Sequence, residues 1–333
     1  MNSLPDLKIT LVTVILIMIQ SCDILDSDDQ HNWGIDPPEE WSTHRDVFVS
    51  EDGSSLIFYR TKLTYISKDN YAEYDPDSMG IWTCNIDGTN LQLIYRNNNS
   101  VLQRPQFMPN SNYILLNLNS HIVKALYDGK LITDNEIIFL TTEGNNFFPS
   151  INGDGSIIAF DSNNDSPNGM NFIWTMDVNG NNKKRIVYAP ERGEVRMPSF
   201  YPSISLIVHN RAIIEASGGP EIFIMDKYGY NNKRLTFNDT WDNEPRINFH
   251  DSKILFIAGN DRHLVITNID SIDNYHSIPG TVFSACWTPD DKILYIPYLG
   301  YNINNGTIWL MNEDGSEKKQ ITYNYGLVIE GRN

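Results

Sequence analysis

The sequence predicts an all-β fold, a six-bladed β-propeller of four-stranded antiparallel blades. Three observations carry that expectation. A two-part phrase recurs six times between Arg45 and Thr322, each copy holds short strands joined by Gly/Asp turns, and no sustained helical period follows residue 22. Repeats of roughly 40–50 residues built this way mark a propeller, because one small sheet cannot bury both faces and must stack on a neighbour.

The first 21 residues precede the repeats. Lys8 supplies a thin positive start, and Ile9–Ile19 is an aliphatic run interrupted only by Thr10 and Thr13. A run this short suits the core of a signal peptide and falls short of a membrane span. It ends in Gln20, Ser21 and Cys22, which resembles the lipobox of bacterial lipoproteins, where cleavage before the Cys leaves its thiol to carry diacylglycerol. An ordinary secretory signal with an incidental Cys is the alternative. Residues 22–44 are acidic, Pro-containing and aperiodic, as expected of a tether. Acidic residues just after the Cys also resemble the surface-export signals of Bacteroidetes lipoproteins. The expected address is therefore the bacterial outer membrane, with the chain held by lipid and displayed to the periplasm or the outer surface.

Residues 45–323 are expected to form the propeller, and 324–333 a tail or a ring-closing strand. The third repeat is the clearest. Phe147–Asn152 alternates apolar and polar, NGDGS turns, IIAFDS is a buried strand, FIWTMDV a third strand, NGNN a second turn and KKRIVY a fourth strand. Its partners carry IWTCNIDG at Ile81–Gly88, IFIMDKYG at Ile222–Gly229 and IWLMNEDG at Ile308–Gly315. The anchors Phe48, Phe107, Ile151, Phe200, Ile247 and Trp287 stand 59, 44, 49, 47 and 40 residues apart. Most of that variation falls between second and third strands, at Thr61–Met79, Asn163–Met170, Ala212–Pro220 and Leu299–Gly306. In a meander these loops open on the same face as the connections between blades, and loops on a rigid face are where binding concentrates.

The phrase P-x-F/W-x-P-[DN]-[GS]-x-x-I-x-F followed by I-W-x-M-[ND]-x-D-G resembles the TolB-like β-propeller repeat. The resemblance implies six blades. TolB pairs its propeller with an amino-terminal α/β domain, for which the stretch between Cys22 and Arg45 leaves no room, so a role in the Tol system is not carried over. Some oligogalacturonate lyases share related repeats and use His around a metal in the central funnel; a metal-dependent polysaccharide lyase is the alternative that this likeness implies.

Composition narrows the partners. With 25 Lys+Arg against 42 Asp+Glu the net charge is −17, a surface that repels phosphate backbones and argues against nucleic acid. The aligned Trp82, Trp174 and Trp309 read as core between blades. Asp87, Asp128, Asp154 and Asp314 read as turn residues, with no dense carboxylate loop for calcium. The seven His residues show no metal-spaced pair and there is no G-x-S-x-G. No cofactor is expected. Cys84 and Cys286 read as buried thiols in different strand columns, a disulfide between them being the alternative.

What remains is a binding surface. Tyr65, Tyr71 and Tyr74 lie in the first-blade insertion, Tyr298 and Tyr301 in the last, and Trp241 and Asp242 in the connection FNDTWDNE. Arg104 and Arg196 stand just before inner strands. Aromatic rings among Asn and Asp on a rigid rim suit recognition of an envelope protein or a glycan. The expectation is a monomeric, non-catalytic binding protein.

Overall fold

The computed structural model describes residues 42–66, 72–97, 102–166, 168–187, 193–200, 202–212, 219–298 and 306–323. It is the propeller the repeats predict: six antiparallel sheets, each of consecutive strands. Blade 1 holds β1 (Ser42–Val49), β2 (Ser55–Ile66), β4 (Gly80–Asn85) and β5 (Gln92–Arg96), with β3 (Ala72–Tyr74) as an added fifth strand paired to the end of β2. Blade 2 is β6 (Leu102–Phe107), β7 (Tyr113–Leu118), β8 (His121–Leu126) and β9 (Ile137–Phe139). Blade 3 is β10 (Asn146–Ile151), β11 (Ile157–Ser162), β12 (Phe172–Asp177) and β13 (Lys184–Arg185). Blade 4 is β14 (Val195–Ser199), β15 (Leu206–Ala212), β16 (Pro220–Asp226) and β17 (Lys233–Arg234). Blade 5 is β18 (Asp242–Ile247), β19 (Lys253–Ala258), β20 (His263–Asn268) and β21 (Ser271–Ile278). Blade 6 is β22 (Val282–Trp287), β23 (Ile293–Pro297), β24 (Trp309–Met311) and β25 (Lys319–Gln320). The first-blade insertion, expected as a loop, is thus in part a hairpin that lengthens β2.

Apolar residues at alternate positions give every sheet two dry faces, and neighbours cover them. Six buried clusters result, one at each interface between blades. The cluster joining blades 6 and 1 holds Val47, Leu56, Phe58, Leu294, Ile296, Ile308 and Ile321 together with Cys84 and Cys286. Both thiols are free, and burial pushes each up to about 12. They are inert packing groups. Trp174 and Trp309 are buried in interface clusters, and Trp82 packs against one.

The Asp-Gly turns have two jobs. Asp87, Asp128, Asp154 and Asp314 each accept the backbone N–H two residues on. A side-chain hydrogen bond from that same residue holds each carboxyl below its usual range. These are Asx turns, which close the third-to-fourth-strand connections at Asp87, Asp128 and Asp314 and the first-to-second-strand turn at Asp154. In blades 1 and 4 the glycine of the outer turn then abuts the preceding blade. A Cβ on Gly88 would stand 2.1 Å from the Ile321 carbonyl oxygen, and one on Gly229 2.1 Å from that of Ile186. Glycine at these positions is therefore required by the stacking as well as by the turn.

A further regularity sits at the inner edge. Each first strand shifts register midway, at Arg45/Phe48, Gln103/Gln106, Phe147/Ser150, Arg196/Ser199, Asn243/Arg246 and Val282/Ser284. In five of the six the bulge contains a left-handed residue: Asp46, Arg104, Phe148, Met197 and Glu244, with φ between 50° and 55°. Four of the five precede a proline, which has no N–H to lose from the ladder and so suits a bulge. A left-handed non-glycine residue costs about 1–2 kcal/mol, so the repetition must be sustained by what these side chains do.

Candidate functional site: the axial mouth

The bulges bring their charged members together at the axis. Arg104 is 4% exposed; its Nε lies 3.4 Å from Asp46 Oδ1 and its Nη2 3.1 Å from Glu244 Oε2. Its backbone N–H also donates to Asp46 Oδ2 at 3.2 Å. Blades 2 and 5 face each other in a ring of six, so the Arg104–Glu244 contact crosses the axis. Arg246 adds a second guanidinium 3.6 Å from Glu244. Burial raises the Glu244 carboxyl and Arg104 opposes that rise. Towards the other end of the axis Phe48, Ile247, Phe249, Cys286 and Trp287 enclose a space of only about 10 Å³, room for a single water at most. Among the described residues the axis thus holds ion pairs above a group of apolar side chains.

Arg104 and Arg196, chosen separately from sequence, meet at this mouth. Their guanidinium carbons lie 4.9 and 5.5 Å from the Phe148 ring centroid, a cation–π arrangement. Arg196 is one-third exposed and is held by Asp161 at 3.3 Å and Glu194 at 3.7 Å. Asp161 is wholly buried, and that burial pushes its carboxyl up to about 7 against the opposing pull of Arg196. Tyr298 packs nearby: its ring stacks on Phe283 with centroids 6.4 Å apart, and Arg262 lies 5.2 Å from it. Arg262 also acts electrostatically on Glu244.

Trp241 and Asp242 are neighbours in sequence with opposite fates. Trp241 is 56% exposed, and its indole lies on Gly219, where a Cβ would come within 2.2 Å of Cδ1. Asp242 is fully buried. Asn238 Nδ2 donates to it at 2.8 Å, and burial pushes its carboxyl up to about 6. The Asn238 backbone N–H donates to Glu221 Oε1 at 3.2 Å, while Thr236 Oγ1 donates to Glu221 Oε2 at 2.6 Å. Asp242 thus braces the loop that presents Trp241. Tyr65 and Tyr74 fall on the blade 1 hairpin, opposite Glu73 and Leu63. Tyr71, Tyr301 and Cys22 lie outside the described residues, as do segments 1–41 and 324–333.

The sequence reading missed Asp46, Phe148, Met197 and Glu244. The signal available was the recurring proline inside the first strand, a residue that a central strand tolerates only at a bulge.

Among the described residues the histidines do not converge. His209 is buried, stacks on Phe223 (centroids 5.5 Å apart, planes at 12°) and reaches the Asn210 carbonyl and Asn232 Oδ1 at 3.3 and 3.2 Å. Burial lowers it to about 4, the hydrogen bonds opposing. Between pH 6.5 and 4 the unfolded chain binds a proton that the folded chain refuses, so stability falls as pH falls through this window. The expected loss is about 3 kcal/mol. His44 is likewise buried and lowered well below its usual value. Urea titrations at pH 6.5 and 4 should show this loss, and His209→Gln should remove about 3 kcal/mol of it; an unchanged difference would contradict the assignment. Among the described residues no three His, Cys, Asp or Glu side chains gather as a metal site would require. The described residues thus offer no donor set for a metal, and the guanidinium groups at the axis oppose one.

No helix among the described residues is long and apolar enough to cross a membrane. No curated protein matches the chain. Among solved structures it is similar to a putative TolB from Agrobacterium tumefaciens, at 14% identity and TM-score 0.59 over 70% of this chain and 84% of that one. TolB from Acinetobacter baumannii gives 15% and 0.58, over 82% and 77%. An oligogalacturonate lyase from Vibrio parahaemolyticus gives 11% and 0.56, over 89% and 82%. Likenesses this remote speak for fold alone. The family model described as TolB beta propeller domain matches residues 53–330, and the chain belongs to that family.

Proposed function

We propose that this chain is a lipid-anchored envelope protein that binds a protein partner at the axial mouth of its loop-bearing face and catalyses no reaction. The observation that carries this reading is the Arg104–Glu244 contact across the axis. It joins opposite blades by an ion pair with charged and aromatic groups around it, an arrangement suited to a broad partner surface rather than to a substrate drawn into a funnel. Arg196, Tyr298 and Trp241 are the contact groups, since Arg and aromatic side chains are the usual anchors of protein interfaces. Tyr65, Tyr71, Tyr74 and Tyr301 are further contact groups on the strength of the sequence alone, and Cys22 is the lipidation site.

The test begins with the native lipoprotein: the protein that co-purifies from cross-linked envelopes is identified, purified and titrated against wild type, Arg196→Ala and Trp241→Ala. Each substitution is expected to weaken binding by at least tenfold, and Cys22→Ser to release the chain from the membrane. Unaltered binding in both variants, or displacement of the partner by free oligosaccharide alone, sinks the reading in favour of a glycan or another face. Manganese-dependent cleavage of oligogalacturonate would overturn its non-catalytic part.

A further inference from the structure

The outer edge of blade 2 differs from those of blades 3, 4 and 6. Register places Ile138 and Phe139 opposite Lys124 and Val123. The same positions are Lys184 and Arg185 in blade 3, Lys233 and Arg234 in blade 4, and Lys319 and Gln320 in blade 6. The matching positions are Gln92 and Leu93 in blade 1 and His276 and Ser277 in blade 5. Lysine on an outermost strand blocks pairing with a foreign strand. Blade 2 lacks that protection: Ile138 and Phe139 are 43% and 50% exposed, and Leu126 and Leu131 are similarly bare.

A second feature adjoins the first. The connection between the third and fourth strands of blade 2 is longer than in the other blades and contains a 3-10 turn, Asp134–Glu136. It leans on blade 1, where the Ile132 N–H donates to the Ile94 carbonyl at 2.7 Å and the Tyr95 hydroxyl to Asp134 Oδ1 at 2.9 Å. Between the two blades it leaves a groove of about 390 Å³ lined by Tyr95, Leu118, His121, Asp134, Ile137 and Phe139. His121 meets the Phe139 ring edge-on at 5.8 Å, and its Nδ1, shielded from water, has no hydrogen-bond partner. The surroundings are acidic. From Leu126 to Glu143 there are four carboxylates, Asp128, Asp134, Glu136 and Glu143, and one lysine, Lys130, which is paired to Asp128 at 2.8 Å.

We propose that this edge and groove dock an extended, apolar segment of a partner protein that carries basic residues on either side of its apolar core. The open strand offers main-chain pairing, the groove takes an alternate side chain, and the carboxylates select the flanks. The site shares no residue with the axial mouth.

A fluorescein-labelled peptide of alternating isoleucine and threonine flanked by lysines serves as the probe, with a glutamate-flanked version beside it, read by anisotropy. Binding is expected for the lysine-flanked peptide, at least tenfold weaker for the glutamate-flanked one. The double substitution Ile138→Lys, Phe139→Arg should abolish it, and this variant should fold because it installs what blade 3 already carries. Arg196→Ala, which impairs the axial mouth, should leave it unchanged. Equal affinity for both peptides, undiminished binding by the double variant, or no binding at ~1 mM peptide overturns the proposal. So does a dimer in light scattering that the double variant dissociates, which would make a second copy of this chain the occupant.

Discussion

Arg104→Ala is expected to cost about 3–5 kcal/mol of folding stability, because it strands buried carboxylates rather than merely deleting a contact. Asp46 would lose its guanidinium partner, and Glu244 would keep only Arg246, 3.6 Å away. The loss should depend on pH in a defined sense. Burial already raises the Glu244 carboxyl, and without the arginine it rises further. A carboxyl raised on folding contributes stability that is present below its unfolded value and lost as pH rises through the folded value. The variant should therefore lie closest to wild type near pH 4 and fall behind as pH rises. Adding Glu244→Gln should restore part of the loss at pH 7. Chemical denaturation of the three proteins at both pH values measures this. A pH-independent deficit, or one below about 1 kcal/mol, would show that the cross-axis pair is a bystander.

Gly88→Ala should be nearly as damaging, and for a different reason. Its φ of +88° costs an alanine about 1–2 kcal/mol. Its Cβ would also be driven to 2.1 Å from the Ile321 carbonyl oxygen in blade 6, an overlap worth about 1–3 kcal/mol more. Gly129 is the control: its φ is +89° and a Cβ there meets nothing within 4 Å. The difference between the two alanine variants isolates the packing of blade 1 on blade 6. A gap of roughly 2–5 °C in melting midpoint is expected. Equal midpoints would mean that the interface relaxes freely.

Much of the fold was legible because its signals are local and repeated. Asp-Gly turns and I-W columns each announce a strand end, and six copies average out the departures. The axial site was less legible. Arg104 and Arg196 stood out as charges beside inner strands, but the sequence could not show that a left-handed residue turns Arg104 towards the axis while Arg196 stays part-exposed. Asp242 beside Trp241 looked like part of one rim; strand alternation sends one side chain inwards and the other out. The bulge column was hidden because an inserted residue breaks the period-two pattern by which inner strands are recognised. Blade 2 was hidden differently. Its extra length falls between third and fourth strands, where the other repeats vary little, and its lost I-W signature drew attention away from an outer edge that had lost its lysine.

The sheets described are each woven from consecutive strands, with no strand from one end of the chain lending itself to the other. Sectors can thus fold in the order in which they are made, and among the described residues no strand latches the circle they form. Until the final sector arrives, the nascent protein is an open crescent with two raw flanks, one bearing Val47 and Phe58 of blade 1, the other Leu255 and Ile257 of blade 5. An unfinished chain would be sticky at both tips, so a chaperone that shields apolar sheet faces is most needed just before the ring closes.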